Sequence, residues 1–364
     1  MADVTLEDMR LIGEALQIKI AFNQPLTLID LYGLLLGNVL LSDFGDARHR
    51  VYLSHQADLL ADGKWPYPIY TSVRAEEGAP SNWYEFTPHE VGGSWMQKYT
   101  PTWAFGRKFV EGSSVDFAPE QSLSFLMGTW GSAFGANIKQ IYDSIDTSIK
   151  SALTRELIEK VFINDIANDR ITYCEVNNFV MGMRKPITQL PILEMVDAGA
   201  SPGFNLPYPP ISGERPERQA DVIIFLDASE SVAGGVTLRE VEEYARANNL
   251  KFPPINYAGI DTRAISIYKD KNDSDVPVVI YMPRINDQML WAALNKPEYG
   301  HYAPFIRNYD IEKCVTNGCC STLNFKYTFN QAMQLTKLTE FNMLMSKDAI
   351  AGAIRWVINN KSSE

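Results

Sequence analysis

Glu194-Met-Val-Asp-Ala-Gly199, followed at once by Ala-Ser-Pro-Gly-Phe-Asn-Leu-Pro-Tyr-Pro209, is a short apolar run that ends on a carboxylate and a Gly/Pro-rich bend. A second run of the same kind, Asp221-Val-Ile-Ile-Phe-Leu-Asp-Ala-Ser229, follows downstream. Both put polar chemistry at the tip of an apolar strand, the edge at which open α/β sheets bind ligands. An acid in that position, Asp197, is a candidate catalytic residue.

Outward from these runs, strand-like and helix-like segments alternate, which predicts an α/β fold with apolar strands buried between helical layers. Leu6, Met9, Ile12, Leu16 and Ile20 recur at helical spacing before Gln24-Pro25, so residues 5–24 are read as an amphipathic helix and Leu26 to about Asp43 as a second. The β-branched and aromatic run around 64–75 predicts a strand, and residues 92–119, rich in Gly and aromatics without a period, predict a long ordered loop. A helix is expected from Leu123 through Ile141. Residues 237–249 form an amphipathic helix in which Thr237 and Glu240 suggest a capping box. Asp275 to Met282 reads as a strand whose Pro277 confines it to a start or an edge. Residues 295–318 are loop-like, and 327–359 close the chain in one or two helices.

The 364 residues are 46% hydrophobic and 11% aromatic, enough for a substantial core. A net charge of −11 argues against nucleic acid as a partner, because such binding rests on clustered Lys and Arg. The start, Met-Ala-Asp-Val-Thr-Leu-Glu-Asp, lacks the basic and apolar regions of a signal peptide, so a cytoplasmic protein is expected. Leu26 to Leu41, the longest apolar run, is too short for a bilayer span, which takes about 20 residues. Four cysteines fit neither a disulfide scaffold nor a zinc pattern and are expected to be reduced. Arg215, Arg218 and Lys251 are read as solvated surface charge.

Five blocks carry a resemblance to a known family. They are Trp83-Tyr-Glu-Phe-Thr-Pro-His-Glu-Val-Gly92, Phe125-Leu-Met-Gly-Thr-Trp-Gly-Ser-Ala-Phe134, Asn178-Phe-Val-Met-Gly182, Val196-Asp-Ala-Gly199 with Phe204-Asn-Leu-Pro-Tyr-Pro209, and Ser321-Thr-Leu-Asn-Phe-Lys-Tyr327. In this order they resemble the cytosolic phospholipase A2 and lysophospholipase catalytic domain. The resemblance implies a patatin-like layered fold, with a central sheet and helices on both faces. It also implies hydrolysis of acyl esters of glycerophospholipids and lysophospholipids at a membrane surface by a Ser-Asp dyad. Asp197 matches the family's dyad acid, which takes the serine proton as general base. Gly199 lets the backbone turn behind it. Phe134, Asn205 and Leu323 match positions that line the family's acyl groove, with Leu323 standing where the family has an aromatic. The resemblance implies no cofactor and no metal.

The chain also departs from the family pattern. The serine elbow and the glycine-rich oxyanion loop are expected upstream of the first matched block, and this sequence is read as containing no Gly-x-Ser-x-Gly stretch. Gly131-Ser-Ala-Phe-Gly135 has the wrong spacing, which leaves Ser132 a poor nucleophile. The whole of residues 1–364 is therefore expected to be the C-terminal two-thirds of the catalytic domain, its N-terminal part missing. Residues 135–190 form a reduced cap-like insertion on this reading. Self-association or a partner chain would complete it. Two alternatives stand beside this one: a catalytically inactive relative that binds lipid or protein, and an adhesion-type Mg²⁺ module built on Asp227, Ser229 and Ser231.

Overall fold

The computed structural model describes residues 4–76, 81–132, 173–183, 189–201, 206, 219–316, 320, 321, 324 and 327–361. The chain divides into two compact units, Met1–Ser201 and Pro202–Glu364.

In the first unit, helix α1 (Leu6–Ala21) starts at a capping box in which Asp8 N–H donates to Thr5 Oγ (3.1 Å) and Thr5 N–H to Asp8 Oδ2 (2.8 Å). Helix α2 (Leu28–Leu40) opens the same way, with Thr27 N–H donating to Asp30 Oδ2 at 2.8 Å. The short α3 (Gln56–Leu60) precedes β1 (Tyr70–Arg74), β2 (Trp83–Phe86), β3 (Glu90–Gly93) and β4 (Lys98–Pro101). A small hairpin, β5 (Phe109–Val110) and β6 (Ser113–Ser114), comes next, then α4 (Leu123–Trp130), β7 (Cys174–Asn177) and β8 (Ile192–Val196). Six of these strands make an antiparallel sheet in the order β4-β3-β2-β1-β8-β7. The stretch read as one loop over 92–119 thus supplies parts of two sheet strands and a hairpin. Strands of two to four residues are too short to show a period of two.

Helix α4 ends at Trp130 rather than running to Ile141, and Trp130 stacks on Tyr70 of β1 with ring centroids 4.2 Å apart. Most of the expected cap, 135–172 and 184–188, lies outside the described residues; Cys174–Asn177 within that span is an edge strand of the sheet, paired with β8.

Helices α2 and α4 touch backbone to backbone. A Cβ on Gly33 would lie 2.3 Å from the Ser124 carbonyl oxygen, and one on Gly128 would lie 2.6 Å from that of Ile29. Gly33→Ala and Gly128→Ala are each expected to lower unfolding free energy by about 1–3 kcal/mol through overpacking. Gly13→Ala on α1, where nothing stands within 4 Å of the added carbon, should be neutral or stabilising by up to about 1 kcal/mol. Urea denaturation checks the contrast, and equal effects at the three positions would sink it.

The second unit is built on β9 (Val222–Asp227), β10 (Ser266–Tyr268) and β11 (Val278–Pro283), in the order β10-β11-β9. Strands β9 and β11 are parallel, β10 and β11 antiparallel. Pro277 immediately precedes β11, which is fully buried at the centre of the sheet, so the proline marks a strand start. On one face Ile223, Phe225, Val279 and Tyr281 pack against Leu238, Val241 and Ala245 of α5 (Val236–Ala247). On the other, Val278, Ile280 and Met282 meet Ala353 and Val357 of α6 (Phe329–Lys361). A helix on each face of a β-sheet is the layering expected of the α/β class.

The N-cap of α5 is Gly235, at φ 65°, and not Thr237. Thr237 is buried inside the first turn with its hydroxyl 3.3 Å from Ser229 Oγ, so the Thr-x-x-Glu pattern is not a capping box here. Residues 295–318, read as loop, include the helical turns Ala303–Ile306 and Ile311–Thr316. Cys174 and Cys320 are free thiols, but Cys314 is disulfide-bonded, which corrects the expectation of four reduced cysteines. Lys251 pairs with Asp273 and Asp275, each at 3.0 Å. Arg215 and Arg218 lie outside the described residues.

Candidate active site

Strand β8 is locked into the sheet of the first unit by Val73↔Val196 on one side and Cys174↔Met195 on the other, and Leu193 and Met195 are fully buried. Asp197 is the first residue beyond it. Its backbone carbonyl accepts from Ala200 N–H (3.0 Å), and its carboxylate Oδ1 accepts from Gly199 N–H (2.8 Å). The acid is therefore held over a single 3-10 turn, Ala198–Ala200, at the rigid end of a buried strand. Its side chain is only half-buried. Gly199 contributes this N–H but is not among the left-handed glycines, so the turn does not require a glycine there.

Tyr32, on α2, is the neighbour that sequence reasoning missed. Burial raises its hydroxyl pKa, and the negative charge of Asp197 raises it further, which puts the phenol within electrostatic reach of the carboxylate. One tyrosine in a mainly aliphatic helix was the only signal. Three residues before Asp197, within β8, Glu194 has a raised pKa, from burial and then from the charge of Glu76, which itself pairs with Arg74.

Of the other anticipated site residues, Phe134, Asn205 and Leu323 lie outside the described residues. Ser132 is fully buried and donates to the Thr129 carbonyl at 3.2 Å, so no ester could reach it.

The reading that the sequence holds no Gly-x-Ser-x-Gly spacing is corrected by Gly199-Ala-Ser-Pro-Gly203. Its serine, Ser201, follows the 3-10 turn in extended conformation (φ −117°, ψ 128°), and its Oγ sits 3.2 Å from Ser81 Oγ. A serine elbow is a sharp turn from strand directly into helix, which this is not.

A more suggestive arrangement lies deeper. His49 Nδ1 is 2.9 Å from Ser124 Oγ and His49 Nε2 is 3.1 Å from Asn38 Oδ1, the order of a nucleophile, a base and an orienting amide. Ser124 is fully buried, however, and a carbon on Gly37 would come within 2.3 Å of its Oγ. This trio joins helices and is closed to substrate.

In the second unit, Asp227 is spent on protein donors. Its Oδ1 accepts from the N–H and O–H of Ser229, and its Oδ2 accepts from Tyr281 O–H at 2.6 Å. Ser231 Oγ instead accepts from Ala233 N–H at 3.4 Å. The Asp227 carboxylate is thus already taken up by protein donors, and among the described residues no group of three or more His, Cys, Asp or Glu could hold a metal. No helix among the described residues is long and apolar enough to cross a membrane.

The lysophospholipase catalytic domain family matches residues 5–264. Among curated relatives, cytosolic phospholipase A2 epsilon of Homo sapiens is 25% identical over 422 residues, covering 98% of this chain and 47% of that protein. Cytosolic phospholipase A2 zeta of Mus musculus is 26% identical, covering 91% of this chain and 46% of that protein. The solved structure of human GIVD cytosolic phospholipase A2 has the same fold, with a TM-score of 0.73 at 20% identity over 99% of this chain and 53% of that one. The same enzyme in complex with methyl gamma-linolenyl fluorophosphonate gives a TM-score of 0.67 at 23% identity, over 100% of this chain and 49% of that one. The chain spans about half the length of the curated relatives it matches.

Proposed function

The chain belongs to the lysophospholipase catalytic domain family, and from that premise we propose that it supplies the general base and the acyl groove for phospholipase A2 or lysophospholipase hydrolysis of glycerophospholipids. The observation that carries the reading is the carboxylate of Asp197, fixed at the tip of β8 by Gly199 N–H yet half open to solvent.

Such a carboxylate takes the proton from a serine hydroxyl as the oxygen attacks the ester carbonyl, and returns it to the departing alkoxide. Water, deprotonated the same way, then releases the fatty acid. Among the described residues we assign no nucleophile, since Ser124 and Ser132 are buried and Ser201 is not on an elbow. Phe134, Asn205 and Leu323 are proposed to line the acyl groove, with no cofactor required. Residues 135–190 belong to a reduced cap on the same proposal. The relatives are named as cytosolic, and we place this chain in the cytosol with lipid met at a membrane surface.

The test uses the purified chain with a lysophospholipid and with a fluorophosphonate ester, a reagent that phosphonylates activated serines. We expect no turnover and no covalent adduct. An adduct on Ser201 that disappears in Asp197→Asn would keep the base and correct the nucleophile. Turnover that Asp197→Ala leaves undiminished would remove Asp197 from the chemistry.

A further inference from the structure

We infer that the second unit carries a binding site for a small zwitterion, whose phosphate or carboxylate lies on Arg284 and whose ammonium group faces Glu230 and Asp261. The loops following the C-terminal ends of the parallel strands β9 and β11, together with the turn before β10, enclose a cavity of about 600 Å³. That is the size of a small-molecule site, on the edge of a parallel sheet where ligands gather.

Arg284, the residue after β11, lines this cavity. Its Nη2 donates to the Ser229 carbonyl at 2.9 Å, while its buried Nε has no hydrogen-bond partner. The carboxylate beside it across the sheet, Asp227, and the one three residues on, Asp287, are committed elsewhere. Asp227 serves Ser229 and Tyr281, and Asp287 accepts from Ala264 N–H (3.0 Å) and Met289 N–H (2.9 Å). Arg284 therefore forms no ion pair among the described residues. A half-buried guanidinium with an unused N–H is unfavourable, and its planar fork fits a carboxylate or phosphate.

The same cavity presents Glu230, which is exposed, and Asp261, whose Oδ2 accepts from Gly234 N–H at 2.7 Å. One cation beside two carboxylates repels a multiply charged anion but complements a molecule carrying one charge of each sign. Ile285 and Met289 supply apolar wall for the carbon chain between them. The same chemistry is offered by a free phosphodiester zwitterion, by a phosphomonoester zwitterion at a pH where its phosphate carries a single charge, and by a zwitterionic lipid head group. The inference does not depend on Asp197.

Calorimetric titration of the full chain at about pH 5, below the second phosphate pKa of roughly 6, with phosphocholine, inorganic phosphate, choline and phosphatidylcholine vesicles tests it. Phosphocholine should saturate one site, with phosphate and choline each weaker by about tenfold or more, the loss expected when one charged contact goes unmade. Arg284→Gln should weaken phosphocholine by a similar factor at unchanged melting temperature. Glu230→Gln, on an exposed side chain, should weaken phosphocholine several-fold without weakening inorganic phosphate, and it decides the matter should Arg284→Gln fail to fold. Vesicle binding that is lost in Arg284→Gln, without binding of free phosphocholine, would support the site and assign it to a lipid. The absence of saturable binding by phosphocholine and vesicles alike, or binding that neither substitution alters, would overturn the proposal.

Discussion

Replacing Lys19 with methionine is expected to lower the unfolding free energy by about 3–5 kcal/mol, because it strands a buried carboxylate. Lys19 Nζ lies 2.6 Å from Asp30 Oδ1, and the two side chains are 3% and 2% exposed. The ammonium also stands 4.8 Å from the ring centroid of Phe125 on α4. Asp30 is charged with a second task, since its other oxygen closes the cap of α2 through Thr27 N–H. Its charge extends to β7, where the buried Cys174 thiol is pushed up to about 12, chiefly by burial and next by Asp30. The pair is thus the joint at which α1, α2, α4 and the edge strand meet. Asp30→Asn keeps an oxygen for the cap but strands the lysine, and a loss of similar size is expected. The double variant Lys19→Met, Asp30→Asn leaves no uncompensated charge and should be less damaged than the sum of the singles, with a coupling on the order of 2 kcal/mol. Urea denaturation of the four proteins gives the cycle. Single losses below about 1 kcal/mol would mean that water or another group reaches the remaining charge.

That pair could not be read from the sequence, and the reason divides what was legible from what was not. Periodicity reports which face of a helix is buried, and α1, α2 and α6 came out near their observed bounds on that signal alone. It says nothing about which buried charge meets which. By its position alone Lys19 is one more polar residue near a helix end, and Asp30 an interruption in an apolar run. The antiparallel sheet failed for a different reason: β2, β3 and β4 have four residues each, and their Gly92 and Gly93 mimic loop composition. Gly92 is there because a Cβ would fall 2.2 Å from the Lys98 carbonyl oxygen on the neighbouring strand. The place of Asp197 just beyond a strand was legible because a strand tip is a local feature. Tyr32 and Arg284 were not, since each acquires its meaning only from groups that the fold brings to it from distant sequence.

Lowering the pH from 6.5 to 4 is expected to remove about 2–3 kcal/mol of stability through His49 alone, by the linkage between proton uptake and folding. Its pKa is pushed from 6.5 down to about 4, first by burial and then by the positive charge of Arg48, with Asp8 opposing. The two ring bonds suit the neutral form, Nε2–H donating to Asn38 Oδ1 and Nδ1 accepting from Ser124 O–H. Asn38 Oδ1 also accepts from Arg48 Nε at 2.8 Å, so a protonated ring would place two cations on one amide oxygen. Above pH 6.5 neither the folded nor the unfolded chain carries a proton on this ring, and stability is independent of it. Between 6.5 and 4 the unfolded chain takes up a proton that the folded chain refuses, and stability falls by up to about 1.4 kcal/mol per pH unit. Below 4 the native ring protonates too and the loss is complete. Carboxylates titrate in the lower part of this range, so the measurement is the difference between wild type and His49→Gln. The variant should be less stable at pH 7.5 by about 1–2 kcal/mol, the cost of disturbing buried hydrogen bonds, and should gain on wild type steadily as the pH drops. A difference that stays flat from pH 7.5 to 4.5 would mean that the ring is accessible to protons in the folded chain, and that the Ser124–His49–Asn38 trio is not the sealed joint its geometry describes.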